Sequence, residues 1–177
     1  MKKLKVVLTE EQIQKRVKEL GKIISEDYKD KCPVVICMLK GAIVFFSDVV
    51  RNLTVPLSME FARLSSYRNG TVSGEMEVVS DITADISGKD IIIIEDVVDS
   101  GKTLAYFIEL LKKKNPASIK ICAFLDKPER RCADVKVDYV GFRIECGFVI
   151  GYGLDYAERF RELPYLAEIN SPDDLED

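Results

Sequence analysis

One run of residues, Ile91-Ile-Ile-Ile-Glu-Asp-Val-Val-Asp-Ser-Gly-Lys-Thr103, concentrates groups that can do chemistry. The four isoleucines read as a buried strand, which ends in the adjacent acids Glu95 and Asp96 and passes through a short loop into a helix start. Ligands of open α/β sheets bind at such carboxyl ends. Asp99, Ser100, Gly101, Lys102 and Thr103 offer hydroxyls and backbone amides at a helix N-terminus, where unpaired N–H groups and the helix dipole favour a phosphate dianion. A nucleotide-hydrolase P-loop is excluded, because the first glycine of G-x-x-x-x-G-K-T would fall at position 96, which is Asp96. Glu95 and Asp96 are hydrogen-bond acceptors that suit the hydroxyls of a sugar, so the run reads as a site for a ribose 5-phosphate.

The rest of the composition narrows the chemistry further. The chain has no histidine, which removes Ser-His-Asp and Cys-His nucleophiles, His-ligated zinc and His as a general base. Acid–base work falls to carboxylates, Lys, Tyr or Cys. Lys and Arg number 26 against 30 Asp and Glu, a net charge of −4, which argues against a broad nucleic-acid or membrane-surface footprint. Cys32, Cys37, Cys122, Cys132 and Cys146 contain no C-x-x-C pair, so reduced thiols in the cytoplasm are expected. No signal peptide is read at the N-terminus, and no apolar run approaches the ~20 residues of a membrane-spanning helix.

The elements that must position these groups follow from periodicity. With 177 residues, 47% hydrophobic and 32% charged, the chain suits one globular domain that buries its own core. Thr9 and Gln12 form a capping box before Ile13, Val17, Leu20 and Ile24 at helical spacing, so a helix is expected over Glu10–Asp27. Pro33–Leu39 reads as a strand buried on both faces, and Ala42–Arg51 as the helix after it. Leu57–Leu64 and Met76–Ser80 read as strands around a polar stretch, 65–74, that is too long for a simple turn. Ile91–Ile94 is the next strand and Thr103–Lys114 its helix; Ser118–Leu125, Val135–Phe142 and Phe148–Tyr152 are further strands. Strands that alternate with helices predict an α/β fold around a mostly parallel sheet. The acidic tail, residues 171–177, reads as a solvated end.

Strand-Glu-Asp-x-x-Asp-Ser-Gly-Lys-Thr closely resembles the phosphoribosyl-pyrophosphate motif of type I phosphoribosyltransferases. With Leu39-Lys-Gly-Ala42, Ser66-Tyr67, Leu125-Asp-Lys-Pro128 and Gly151-Tyr-Gly-Leu-Asp-Tyr156 in order, the chain resembles the hypoxanthine-guanine branch from about Leu4 to Leu166. The resemblance implies one domain, residues 1–177: a core over about 30–150 and a small hood from about 1–28 and 145–170. It implies transfer of ribose 5-phosphate from phosphoribosyl pyrophosphate to hypoxanthine or guanine, giving IMP or GMP and pyrophosphate, with Mg²⁺, in a cytoplasmic homodimer or homotetramer that binds neither nucleic acid nor membrane. Carried over by motif, Glu95, Asp96, Asp99, Ser100, Gly101, Lys102 and Thr103 hold the phosphoribosyl group, and Asp99 is the general base facing N7 of the purine. Lys40, Gly41 and Arg161 hold pyrophosphate, in a loop whose peptide before the Gly is often cis. Ser66 and Tyr67 open a lid that excludes water from a reactive sugar cation. Lys127 donates to the purine 6-oxo group, Phe148 stacks on the base, and the backbone of Val149 meets its edge. Asp155, with Glu95 and Asp96, serves the metal.

Before the stacking Phe148 the family pattern has Pro-Asp and one variable residue, where this chain has Glu145-Cys-Gly147. The order of preference among hypoxanthine, guanine and xanthine is therefore not implied. A xanthine-preferring transferase is the neighbouring alternative. A regulator that keeps the fold to sense nucleotide and binds nucleic acid is the distant one, disfavoured by the net charge and the lack of a basic stripe.

Overall fold

The computed structural model describes residues 4–66, 76–145 and 147–169. In chain order it contains β1 (Lys5–Leu8), α1 (Glu10–Asp27), β2 (Val34–Met38), α2 (Ile43–Arg51), β3 (Ser58–Ser66), β4 (Met76–Ser80), β5 (Asp90–Val98), α3 (Lys102–Lys112), β6 (Ser118–Asp126), β7 (Tyr139–Arg143), β8 (Phe148–Ile150) and β9 (Leu166–Ile169). Six strands form one sheet in the order β4-β3-β2-β5-β6-β7, parallel throughout except for β4 at the edge. The β2 strand, Val-Val-Ile-Cys-Met, is buried along its whole length, and Ile91 to Ile94 of β5 are equally inaccessible. Such continuous apolar strands are what a parallel sheet covered on both faces demands.

The chain leaves β2 for β3 on one side and β5 for β6 on the other, so right-handed crossovers put α2 and α3 on opposite faces. The strand order reverses between β2 and β5, and the crevice at their carboxyl ends is where an open α/β sheet binds its ligand. Helix α1 starts with both halves of its capping box in place, Thr9 Oγ1 accepting from Gln12 N (3.3 Å) and Gln12 Oε1 from Thr9 N (2.8 Å). It packs on α2, and its Arg16 donates to the carbonyls of Val140 (2.8 Å) and Gly141 (3.1 Å) on the edge strand β7.

A second sheet, β1-β9-β8, is antiparallel and has its own apolar cluster of Ile150, Phe160, Ala167 and Ile169. Among the described residues of the 1–28 stretch expected in the hood, Lys5–Leu8 pair within this sheet and Leu4 packs against its cluster, while α1 buries Ile13, Val17, Leu20 and Ile24 in the main core. The short strands β1 and β9 have no apolar run of their own and exist through pairing.

Other boundaries shift for identifiable reasons. β5 runs past Ile94 through the acids to Val98, because β6 continues to pair with it after β2 has turned away. β7 starts at Tyr139 rather than Val135, whose carbonyl is taken by Arg131 Nη1 (2.6 Å). β8 stops at Ile150, before Gly151.

Phe124 on β6 stands at the centre, with ring centroids 5.4 Å from Phe45, 5.9 Å from Phe142 and 4.8 Å from Tyr152. It is fully buried, so Phe124→Ala should lower stability by about 3–5 kcal/mol in chemical denaturation, through lost transfer energy and the cavity left among these rings.

Candidate active site

At the switch crevice β2 ends in Leu39-Lys40-Gly41, with a cis Leu39–Lys40 peptide. Gly41 is buried beneath Asp96: any Cβ at position 41 would overlap the Asp96 carboxylate, and one at Gly153 would overlap the Gly41 carbonyl. Only hydrogen side chains let these three segments meet. Asp96 accepts from Val97 N at 2.7 Å, and Glu95 Oε1 from Asp96 N at 3.2 Å. Burial and the adjoining Asp96 charge push the Glu95 carboxyl well above the ordinary carboxylate range.

Past β5 the backbone of Asp99, Ser100 and Gly101 wraps a concavity of about 110 Å³ closed by Thr103 and Leu104. Gly101, at φ 76°, precedes α3, whose first-turn amides have no partner inside the helix. The loop is held from below by residues to which the sequence attaches no role. Arg131 donates to the carbonyls of Val98 (3.3 Å) and Asp99 (3.2 Å) and pairs with Asp126, while Cys132 N and Ala133 N donate to the Ser100 carbonyl at 2.9 and 3.1 Å. Asp126 is only 5% exposed and also has Arg143 at 3.9 Å. Its place between two cations explains a buried carboxylate. No local spacing marks this clamp, which joins residues 98–101 to 126–135 only through the β5/β6 pairing.

Beside the loop a cavity of about 450 Å³ is lined by Asp96, Asp99, Lys127, Phe148, Val149 and Asp155 among others, so four separate segments of the sequence share one space. Lys127 is 6% exposed and its Nζ donates to the Gly147 carbonyl at 3.1 Å, which uses one of three ammonium donors. Phe148 is 53% exposed with its ring edge-on to Tyr156 (5.7 Å, 89°), whereas the Val149 side chain is buried. Asp99 Oδ1 lies 3.2 Å from Arg130 Nε.

Lys40, Asp155 and Arg161 meet at the mouth. Arg161 Nη2 is 2.8 Å from Asp155 Oδ1, Arg161 Nη1 donates to the Gly153 carbonyl at 2.8 Å, and Lys40 Nζ is 2.7 Å from Glu158 Oε2. Lys102 and Thr103 are exposed at the start of α3. Of the expected lid, Ser66 is the last residue of β3, its side chain outside the described residues, and Tyr67 lies outside them altogether. A larger groove of about 830 Å³, lined by Lys22, Lys31 and Pro56, opens at the amino ends of the strands and contains none of these groups.

The raised Glu95 has a consequence for stability. Between the ordinary carboxylate pKa of about 4.3 in the unfolded chain and the higher folded value, the native state binds more protons, so stability falls as pH rises through that window. Glu95→Gln removes this term. The variant should melt above the parent at pH 7, and the gap should close as pH approaches 4; scanning calorimetry across that range reads it.

Residues 5–157 match the family model described as a phosphoribosyl transferase domain. Hypoxanthine-guanine phosphoribosyltransferase of Bacillus subtilis is 50% identical over 163 residues, spanning 92% of this chain and 91% of that protein. The protein of the same name from Staphylococcus epidermidis is 45% identical over 167 residues, 94% of this chain and 93% of that one. The crystal structure of a hypoxanthine phosphoribosyltransferase from Staphylococcus aureus superposes with a TM-score of 0.90 at 42% identity, covering 98% of this chain and 94% of that one. A parallel sheet with its acid pair and phosphate-sized loop at the switch point, and relatives matched over nearly their whole length, lead to one conclusion: the chain belongs to the phosphoribosyltransferase family, in its hypoxanthine-guanine branch.

Proposed function

We propose that this protein is a purine-salvage transferase that moves 5-phosphoribosyl from phosphoribosyl pyrophosphate to hypoxanthine or guanine, releasing IMP or GMP and pyrophosphate. The observation that supports this reading most is the single cavity in which the Asp99 carboxylate, the Lys127 ammonium and the exposed Phe148 ring face a common space of base size. In this reading Glu95 and Asp96 accept from the ribose hydroxyls, and the amides and hydroxyls of Ser100 to Thr103 take the 5-phosphate. Phe148 stacks on the base, the Val149 backbone meets its edge, and Lys127 donates to the 6-oxo group. An amino group at that position would face donors alone, so adenine is rejected.

As the bond from C1 to pyrophosphate lengthens, positive charge grows on the sugar and negative charge on the leaving group. Lys40, the Gly41 loop and Arg161 stabilise the latter, which is electrostatic catalysis by preset charges. Asp99 takes the proton from N7. A carboxylate is a weak base at neutral pH, so the transfer needs the water exclusion that closure of the segment opened by Ser66 and Tyr67 would provide.

Mg²⁺ suits the oxygen donors on hand: Asp96 and Asp155 line one cavity, and this ion characteristically takes one or two carboxylates with phosphate and water. When bound it would neutralise part of the pyrophosphate charge. The reading extends to a cytoplasmic homodimer or homotetramer that acts without nucleic acid, and the free thiols of Cys32, Cys37, Cys122 and Cys132 accord with a reducing compartment.

Pyrophosphate release from phosphoribosyl pyrophosphate and Mg²⁺, measured separately with hypoxanthine, guanine, xanthine, adenine and uracil, tests the reading. Hypoxanthine and guanine should exceed adenine by ~10²-fold or more, since the mismatch leaves a buried ammonium facing a donor. Comparable use of adenine would overturn the role of Lys127, and dominance of xanthine would select the neighbouring specificity. Binding of nucleic acid without turnover would favour a regulator. In the same assay Asp99→Asn should cut turnover ~10²- to 10⁴-fold while its melting temperature and nucleotide affinity hold. Parental turnover by that variant would put the base elsewhere.

A further inference from the structure

Glu158 has no role in the sequence reading, yet it stands between the two cations at the mouth of the site. Its Oε2 is 2.7 Å from Lys40 Nζ and its Oε1 is 3.5 Å from Arg161 Nη2. The carboxylate is thereby held below its ordinary pKa, chiefly by the hydrogen bond from Lys40. Glu158 N donates to Asp155 Oδ2 at 2.8 Å, and both Ala157 and Glu158 adopt left-handed backbone (φ 50° and 64°), a conformation uncommon for non-glycine residues. That turn directs the side chain back across the loop toward β2. Glu158 is 65% exposed at its side chain, so it leaves for water without stranding a buried charge. Arg161, by contrast, is largely enclosed, and its buried Nε has no hydrogen-bond partner among the described residues.

We propose that Glu158 is an internal competitor of pyrophosphate: its carboxylate occupies Lys40 and Arg161 in the resting site, must swing away before a diphosphate binds, and returns as the product leaves. The inference rests on the reading of Lys40 and Arg161 as pyrophosphate ligands. A monovalent, solvent-exposed carboxylate yields to a polyanion of higher charge. It still weakens that polyanion's hold by the strength of the pair that must break and by repulsion once displaced. The effect lowers affinity for pyrophosphate and favours its release, while the ribose and base contacts on β5 and β8 are untouched.

The test is calorimetric titration of the full-length protein with inorganic pyrophosphate and Mg²⁺. Glu158→Gln keeps length and hydrogen bonding but removes the charge, and should bind about 2- to 5-fold more tightly, the range expected for an exposed ion pair with a second cation nearby. Glu158→Ala should move in the same direction. In a Lys40→Met background the gain from Glu158→Gln should shrink toward zero. Unchanged affinity in both Glu158 variants overturns the proposal. Weaker binding also overturns it, since Glu158 would then position the cations rather than compete for them. If Lys40→Met and Arg161→Met each bind pyrophosphate as the parent does, the ligand assignment beneath the proposal fails, whatever Glu158 does.

Discussion

Close approach at one point governs the layout of the site. The Asp96 carboxylate lies directly over Gly41, and the Gly41 carbonyl lies against Gly153, so the ends of β5 and β2 and the loop after β8 are stacked with no room for a side chain at either glycine. This closeness brings residues 40, 96 and 155 into one neighbourhood. It also explains why the two sheets behave as one site. Tyr152, next to Gly153, is buried against Phe45 and Phe124, and its hydroxyl donates to Asp48 on α2 at 2.7 Å, which anchors the small sheet's loop to the main core. Rigid support of this kind holds functional groups within the tolerance that catalysis requires.

The second organising feature is that four charged groups of the site have a partner inside the protein. Asp99 faces Arg130, Asp155 faces Arg161, Lys40 faces Glu158, and Lys127 donates to the Gly147 carbonyl. In the function proposed above, a highly charged substrate binds by exchange of partners, and the free energy gained is the difference between two sets of contacts. Beneath them the Arg131–Asp126 pair is of a different kind. It is enclosed, and its arginine satisfies loop carbonyls. Exposed pairs suit exchange because they contribute little stability, whereas breaking an enclosed pair leaves a charge stranded.

Much of the fold was legible because its signals are local. The capping box and the 3.6-residue spacing of Ile13, Val17, Leu20 and Ile24 define α1 to the residue, and the apolar runs at Val34 and Ile91 mark strands covered on both faces. The acid pair and the glycine-bearing loop after it were likewise readable as a short contiguous pattern, whereas Lys127 and Phe148 stood out only through the family resemblance. β1 and β9 escaped because four-residue strands are stable only once paired, and pairing joins residues 5–8 to 166–169. The extension of β5 through Glu95 and Asp96 escaped for a related reason: acids end an apolar pattern, but hydrogen bonds to β6 continue the strand.

By itself the sequence determined the groups on hand for chemistry: no histidine, an acid pair at the end of a buried strand and a glycine-bearing loop leading into a helix, with Lys127 added by the family resemblance. The tertiary structure alone decided which groups meet. Strand order put Gly41 and Asp96 side by side at the reversal between β2 and β5, the β5/β6 register brought Arg131 beneath the loop after β5, and left-handed turns carried Glu158 to Lys40 across 118 positions of sequence. Such meetings cannot be read from spacing, because they follow from hydrogen-bond registers and backbone approach between segments that the linear chain keeps apart.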